Sequence, residues 1–180
     1  MASALQEDKS TLLPLPLYAG MSLELQMHIF DPPPRGMRKC VISTNIAEAS
    51  LTIDGIVHVV DCGFVKMKAY DPATGMDALM TTSISRASAT QRSGRAGRVR
   101  DGRCYRLYTH DAFLNMREQE IPEIQRSNLC MMILQLKALG IDNVVKFDFV
   151  SPPPSQLMIR ALDVSDILTV SRSSRAHRKR

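Results

Sequence analysis

Gln91-Arg92-Ser93-Gly94-Arg95-Ala96-Gly97-Arg98 decides how the rest of this 180-residue chain is read. If the stretch is helical, positions 91, 95 and 98 fall within an arc of about 60° at 3.6 residues per turn. One amide and two guanidinium groups then project from one side. Gly94 and Gly97 lie toward the adjoining face and leave room for a backbone or a ligand to come close. Planar, permanently charged forks converging on one point suit a polyphosphate better than a carboxylate. The plainer alternative is a solvated, arginine-rich helix. Two glycines inside so short a helix cost roughly 1 kcal/mol each relative to Ala, which an inert surface helix has no reason to bear.

Immediately upstream, Ser85 is placed to cap that helix. Phe64 to Tyr70 and Met76 to Ile84 flank Asp71-Pro-Ala-Thr-Gly75, a glycine-containing connection that predicts a β-hairpin. Lys66 and Lys68 are two apart and share one face of it, either solvated or set against a nucleic-acid backbone. Ile56 to Val60 and Lys39 to Ser43 read as buried strands. Between them runs Thr44-Asn45-Ile46-Ala47-Glu48-Ala49-Ser50-Leu51-Thr52-Ile53-Asp54-Gly55. Polar residues just past a strand end are where α/β folds place ligand contacts, although a capped loop with an Asp-Gly turn explains the same residues. Leu12 to Tyr18, broken by Pro14 and Pro16, predicts a short edge strand. Ser22 opens a helix expected to run through Phe30 and to stop at Asp31-Pro-Pro-Pro34, with Phe30 either in the core or exposed for stacking.

Downstream, Arg103 to Tyr108 reads as a strand and Thr109 as the cap of a short helix. From Pro122 to Leu139 an apolar stripe of Ile124, Leu129, Met132, Ile133, Leu136 and Leu139 predicts a helix closed by Gly140. Val144 to Val150 is a short apolar run, Ser151-Pro-Pro-Pro-Ser155 a spacer, and Gln156 to Leu162 the start of a last helix. The net charge of +5 belongs to the last ten residues, where Arg172, Arg175, Arg178, Lys179 and Arg180 face no acid. Within the neutral remainder, residues 86–106 hold seven arginines against the single Asp101. Basic character is therefore one patch plus a tail. Cys40, Cys62, Cys104 and Cys130 are widely spaced with no CxxC pair, and are expected to be reduced, mostly buried thiols with no metal site. No apolar run has the length of a membrane span, so no membrane partner is expected.

Taken together, these segments resemble the second RecA-like domain of DEAH-box ATP-dependent RNA helicases. Ser43 to Gly55 resembles helicase motif V, Gln91 to Arg98 motif VI, and Leu15-Pro-Leu-Tyr18 the segment around motif IV. The hairpin Val65 to Tyr70 and the run Arg103 to Thr109 fit as well, and Pro122 to Leu162 resembles the opening of the winged-helix domain that follows in this family. Asp61-Cys-Gly-Phe64 and Leu136 to Asn143 lean toward the subgroup of vertebrate DEAH-box helicase number thirty-five, which is spliceosome-associated. The implied fold class is α/β: a RecA-like parallel-sheet domain with a β-hairpin insertion, followed by a truncated helical winged-helix segment. The implied boundaries are a disordered N-terminus over 1–11, the RecA-like domain over 12–117, a partial winged helix over 118–163 and a disordered basic tail over 164–180.

The resemblance also implies roles. Arg95 and Arg98 would be arginine fingers on the γ-phosphate of ATP, with Gln91 placing the attacking water. Ser50 would sense the γ-phosphate, Asp54 would hold the ribose or orient Arg98, and Phe30 would stack on adenine. Thr44 and Asn45 would touch the RNA backbone, with Lys66 and Lys68 on a hairpin that grips or wedges the strand. The implied cofactor is ATP with Mg²⁺, whose metal ligands belong to the first RecA-like domain. The implied partners are RNA, that first domain and spliceosomal proteins, in the nucleus.

Three features depart from the family. Ala49 stands where Thr is usual, the winged helix gives way to the basic tail beyond Asp163, and no GxxxxGK[ST] loop or DEAH carboxylate pair is present. The chain is therefore expected neither to hydrolyse ATP nor to unwind RNA alone, as a partial gene model or truncated product would not. The alternatives are a non-catalytic RNA-binding or regulatory fragment and a non-functional product. In the latter, Leu129, Met132, Ile133 and Leu136 would lie partly uncovered.

Overall fold

The computed structural model describes residues 11–49 and 51–165. They form two compact units: residues 11–65 with 83–120, and residues 66–82 with 121–165. The outer residues of the hairpin belong to the second unit, together with the C-terminal helices.

In the first unit, β1 (Leu12–Leu17) and β2 (Arg38–Ser43) pair in parallel with Leu12 opposite Arg38. The edge position expected of a strand with two prolines is the one that tolerates their missing N–H groups. A second parallel pair joins β3 (His58–Asp61) to β6 (Arg103–Arg106), with His58 opposite Arg103. Parallel pairs require crossovers, and helices supply them. Helix α1 (Leu23–Met27) lies between β1 and β2, and α3 (Arg86–Ser93) and the short α2 (Ile46–Ala49) lie in the later connections. After β6 comes α4 (His110–Leu114). The expected caps are in place: Ser22, Ser85 and Thr109 each accept a hydrogen bond from the N–H three residues on, to Leu25, Ser88 and Ala112. Helix α1 is shorter than expected, ending before Phe30 in a turn. Ile84, Ala89 and Met116 form a buried cluster against Val65, Tyr108 and Phe113.

The hairpin is β4 (Phe64–Asp71) and β5 (Met76–Ser83), and Asp71 ties its turn by accepting from the Ala73 N–H and the Thr74 hydroxyl. In the second unit, the outer part of the hairpin is bound to the residues preceding α5 (Cys130–Ala138). Tyr70 N–H donates to the Arg126 carbonyl, and the Arg126 guanidinium donates to the carbonyls of Lys68 and Ile121. The stripe expected to form one helix from Pro122 is divided into a 3-10 turn (Glu123–Gln125) and α5. Residues 155–165 form the last helix, α6, three residues longer than the apolar pattern to Leu162 suggests. The expected disordered N-terminus over 1–11 and basic tail over 164–180 fall almost wholly on residues 1–10 and 166–180, which lie outside the described residues.

The apolar stripe is covered in part: Met132 and Leu136 stay half-buried and Leu139 is 79% exposed. Leu129 is 3% and Ile133 0% exposed, packed with Val144, Leu157, Met158 and Ala161, and with Met132 and Leu136 at the margin. Helix α6 supplies the cover that a truncated winged helix is expected to lack. Of the cysteines, Cys62 is exposed and the other three are half-buried, so the expectation of mostly buried thiols is not met; all four are free. Among the described residues no helix is long and apolar enough to cross a membrane.

Candidate functional site

The two polar ends of the site come from strand termini. Thr44 and Asn45 follow β2 directly and are exposed, and their carbonyls accept the N–H groups of Ala47 and Glu48, which starts α2. Asp61 ends β3 and is buried. Helix α3 then lies beside α2 and β3.

Arg92, on the last turn of α3, is the centre of a buried charge network. Its Nε donates to Glu48 Oε2 at 3.0 Å, and its Nη1 to Asp61 Oδ1 at 2.9 Å and to the Phe64 carbonyl at 3.2 Å. Side-chain exposures of 16% for Arg92, 12% for Glu48 and 0% for Asp61 place these ion pairs out of solvent, where removing one partner strands the other. Burial alone would lower the Arg92 pKa, but the hydrogen bonds and charges of Asp61 and Glu48 outweigh it and raise it. The carboxylates are satisfied elsewhere too. Ser88 Oγ donates to Glu48 Oε1 at 2.5 Å, Gly63 N–H to Asp61 Oδ1 at 3.0 Å and Tyr108 O–H to Asp61 Oδ2 at 2.9 Å. Burial, then the bond to Asp61, pushes Tyr108 up to about 12.

Arg95 and Arg98 are placed differently from the helical expectation. Helix α3 stops at Ser93, with Gly94 as its C-cap, and the N–H groups of Arg95 and Ala96 bond back only three residues, to Arg92 and Ser93. Gly97 takes φ +86°, a conformation L side chains rarely adopt. The close approach anticipated for the glycines is made by backbone: a Cβ at Gly102 would stand 2.5 Å from the Gly97 nitrogen. The arginines thus lie on a glycine turn rather than on the helix face of Gln91, which is exposed.

That turn meets the segment after α2. Arg98 Nη1 donates to Thr52 Oγ1 at 2.7 Å, and Arg95 Nη1 to the Leu51 carbonyl at 3.4 Å. Arg98 is held by Thr52, and Asp54 is exposed two residues further on. Arg95 Nε is buried without a hydrogen-bond partner among the described residues. Burial, and next the charge of Arg98, lowers the Arg95 pKa, with Glu48 opposing. The pair is thus short of negative charge.

Phe30 is 43% exposed, so its ring has a free face, while its neighbour Ile29 is buried. Lys39 Nζ donates to the Ile29 and Asp31 carbonyls on either side and fixes this turn. Ser50 lies outside the described residues. Lys66 and Lys68, in the second unit, are exposed, and Lys68 Nζ pairs with Asp77 at 2.8 Å. Of the seven arginines in the basic patch, Arg86 pairs with Glu118 at 2.8 Å, Arg92 with Glu48 and Asp61, and Arg106 stacks 4.3 Å over the Phe113 ring. The patch is therefore smaller than composition suggests. Sequence reasoning missed Arg92, Glu48 and Asp61 as a group. Their separation along the chain hides the pairing, and the only signal was an acid at each of two strand-end segments.

The helicase conserved C-terminal domain matches residues 2–100. The chain belongs to that helicase family. Within it, the sequence falls among the DEAH-box RNA helicases: it is 54% identical over 156 residues to the human probable ATP-dependent RNA helicase DHX35 and 59% identical over 152 residues to the fission-yeast pre-mRNA-splicing factor ATP-dependent RNA helicase prp22. These matches cover 87% and 84% of the chain but only 22% and 13% of the relatives. The chain thus spans about a fifth or less of the curated helicases it matches. Two crystal structures of the Escherichia coli DExH/DEAH helicase HrpB share the fold, with TM-scores of 0.80 and 0.83 at 37% identity, covering 91% of the chain and 20% and 21% of theirs. The helicase fold is α/β and RecA-like, as the motif order implied.

Proposed function

We propose that this helicase domain serves as the second RecA-like half of an ATP-driven RNA motor and supplies Arg95 and Arg98 to the γ-phosphate of ATP. The observation that carries this reading is Arg95 Nε, buried and unbonded among the described residues, beside a second guanidinium. A buried donor without a partner is costly, and a polyphosphate supplies both the acceptor and the missing charge. Gln91 would place the attacking water, Ser50 would sense the γ-phosphate, and Asp54 would hold the ribose. The exposed face of Phe30 would stack on adenine.

Thr44 and Asn45 would meet the RNA backbone at the end of β2, and Lys66 and Lys68 would add hairpin contacts independent of sequence. Mg²⁺ neutralises phosphate charge in this chemistry; among the described residues no three His, Cys, Asp or Glu side chains converge to hold a metal. Its ligands would belong to a first RecA-like domain carrying the phosphate-cradling loop, so these 180 residues alone would not turn over ATP. Likeness to the splicing factor prp22 supports work on pre-mRNA with spliceosomal proteins in the nucleus. A non-functional product remains the alternative reading, and a soluble monomer with a sharp thermal transition would count against it.

Titration of ATP and of tripolyphosphate into the chain at physiological salt tests the arginine assignment. Arg95→Ala with Arg98→Ala should weaken both by at least about 100-fold, since each charge-assisted hydrogen bond contributes about 1.5–3 kcal/mol and two arginines are removed. Equal affinity in the double variant would remove the two residues from the site.

A further inference from the structure

Arg92 joins three pieces of backbone. Its Nε reaches α2 through Glu48, and its Nη1 reaches both the end of β3 through Asp61 and the first residue of β4 through the Phe64 carbonyl. Asp61 Oδ1 accepts at once from Arg92 and from Gly63 N–H, so residues 61–64 are wrapped around one guanidinium nitrogen. The backbone of the same arginine starts the turn of Arg95, whose N–H donates to the Arg92 carbonyl at 3.1 Å. One residue therefore has its main chain in the arginine turn and its side chain in the root of the hairpin. A planar fork serving acceptors on different elements transmits displacement, because no single acceptor can move without breaking its bond or turning the fork.

We propose that Arg92 is a positioning residue that makes the arginine turn and the hairpin root one rigid body, so that a polyphosphate seated on Arg95 and Arg98 is felt at residues 63–65. The second half of this statement rests on Arg95 and Arg98 being the phosphate ligands; the tie itself does not. Glu48 gives the tie its third point, on the segment whose Leu51 and Thr52 hold the two arginines.

Hydrogen exchange of the 180-residue chain, read by mass spectrometry, tests the tie without ligand. Arg92→Lys keeps the charge but cannot span both carboxylates and the carbonyl. It should raise exchange at residues 63–65 and 94–100 together, by at least about fivefold, the lower end of site–site coupling. Exchange over Cys130–Ala138, in the other unit, should stay unchanged. Ile29→Ala, which loosens the same unit by a cavity, serves as control and should not single out those two segments. The same Arg92→Lys variant should lose at least about fivefold in tripolyphosphate affinity while Ile29→Ala does not. A uniform rise in Arg92→Lys, or wild-type exchange at 63–65, would overturn the proposal. In the Arg95→Ala/Arg98→Ala variant the hairpin root should keep wild-type exchange. Undiminished tripolyphosphate binding in that variant would sink the phosphate reading, while the ligand-free comparison would still decide the tie.

Discussion

Arg92, Arg95 and Arg98 are one residue type within seven positions, and they end up with opposite fates. Arg92 is neutralised by acids 44 and 31 residues away, whereas Arg95 is left with an unbonded nitrogen. The residues of the motif were legible in the sequence; which arginine was structural was not, because that depends on carboxylates brought in by α2 and β3. The same network makes firm predictions. Asp61→Ala should destabilise the first unit by about 3–5 kcal/mol, the loss expected when a buried partner is stranded, and urea unfolding would show it. That is a large part of the 5–15 kcal/mol typical of a folded domain. Tyr108 offers a pH signature. Its phenol is pushed up to about 12 from 10.0, so the folded form favours the protonated hydroxyl. The stability it contributes is complete below about pH 10 and is lost as pH rises toward about 12. Tyr108→Phe should remove that alkaline decline from the urea midpoint measured between about pH 9 and pH 12; an identical decline in both proteins would show that Tyr108 is not its source.

At the scale of elements, strands and caps were easier to read than helix ends. Ser85 and the Asp71–Gly75 connection act through bonds a few residues long, so sequence patterns carry them. The end of α3 is not visible in the pattern, because helical spacing accommodates Gly94 and Gly97, yet α3 stops at Ser93 and Gly97 at φ +86° belongs to a turn. The difference matters for the site: the turn aims Arg95 and Arg98 at Leu51 and Thr52, which a continuous helix face need not do. For Phe30 the residue type alone favours the core, since most aromatics are buried, and only the family resemblance points to an exposed ring; the side chain is 43% exposed after the early turn. In the second unit, Ile133→Ala should cost about 2–5 kcal/mol, visible as a lowered unfolding midpoint over α5 and α6, with tripolyphosphate affinity unchanged. The hairpin lysines should behave unequally toward single-stranded RNA. Lys66→Ala should reduce the salt dependence of binding by about 0.7 in log–log slope, the value of one backbone contact, and Lys68→Ala by less, because its ammonium already holds Asp77. Equal effects would mean that the Lys68–Asp77 pair opens on RNA.

For the whole molecule, the charge balance and the motif order can be read from the sequence, and the described residues form two compact units. The net charge of +5 resides in the last ten residues, so an anion bound by the body would have to be held by placed groups rather than bulk charge. Family and fold were legible because motifs V and VI sit at strand ends and turns, where function constrains residue type. The tie between the hairpin and the residues before α5 runs through Arg126, whose side chain donates to the carbonyls of Lys68 and Ile121, and the 58-residue separation of Arg126 from Lys68 hides it from any sequence pattern. The central claim is that Arg95 and Arg98 complete a phosphate site begun by another domain. Its most direct test is RNA-stimulated ATP turnover of this chain mixed with a separately expressed phosphate-loop domain from a DEAH-box relative. Turnover should appear only in the mixture and fall by about 10³–10⁵ when Arg95 and Arg98 are both alanine. Turnover by the chain alone, or undiminished turnover in the mixture with the double variant, would contradict the account.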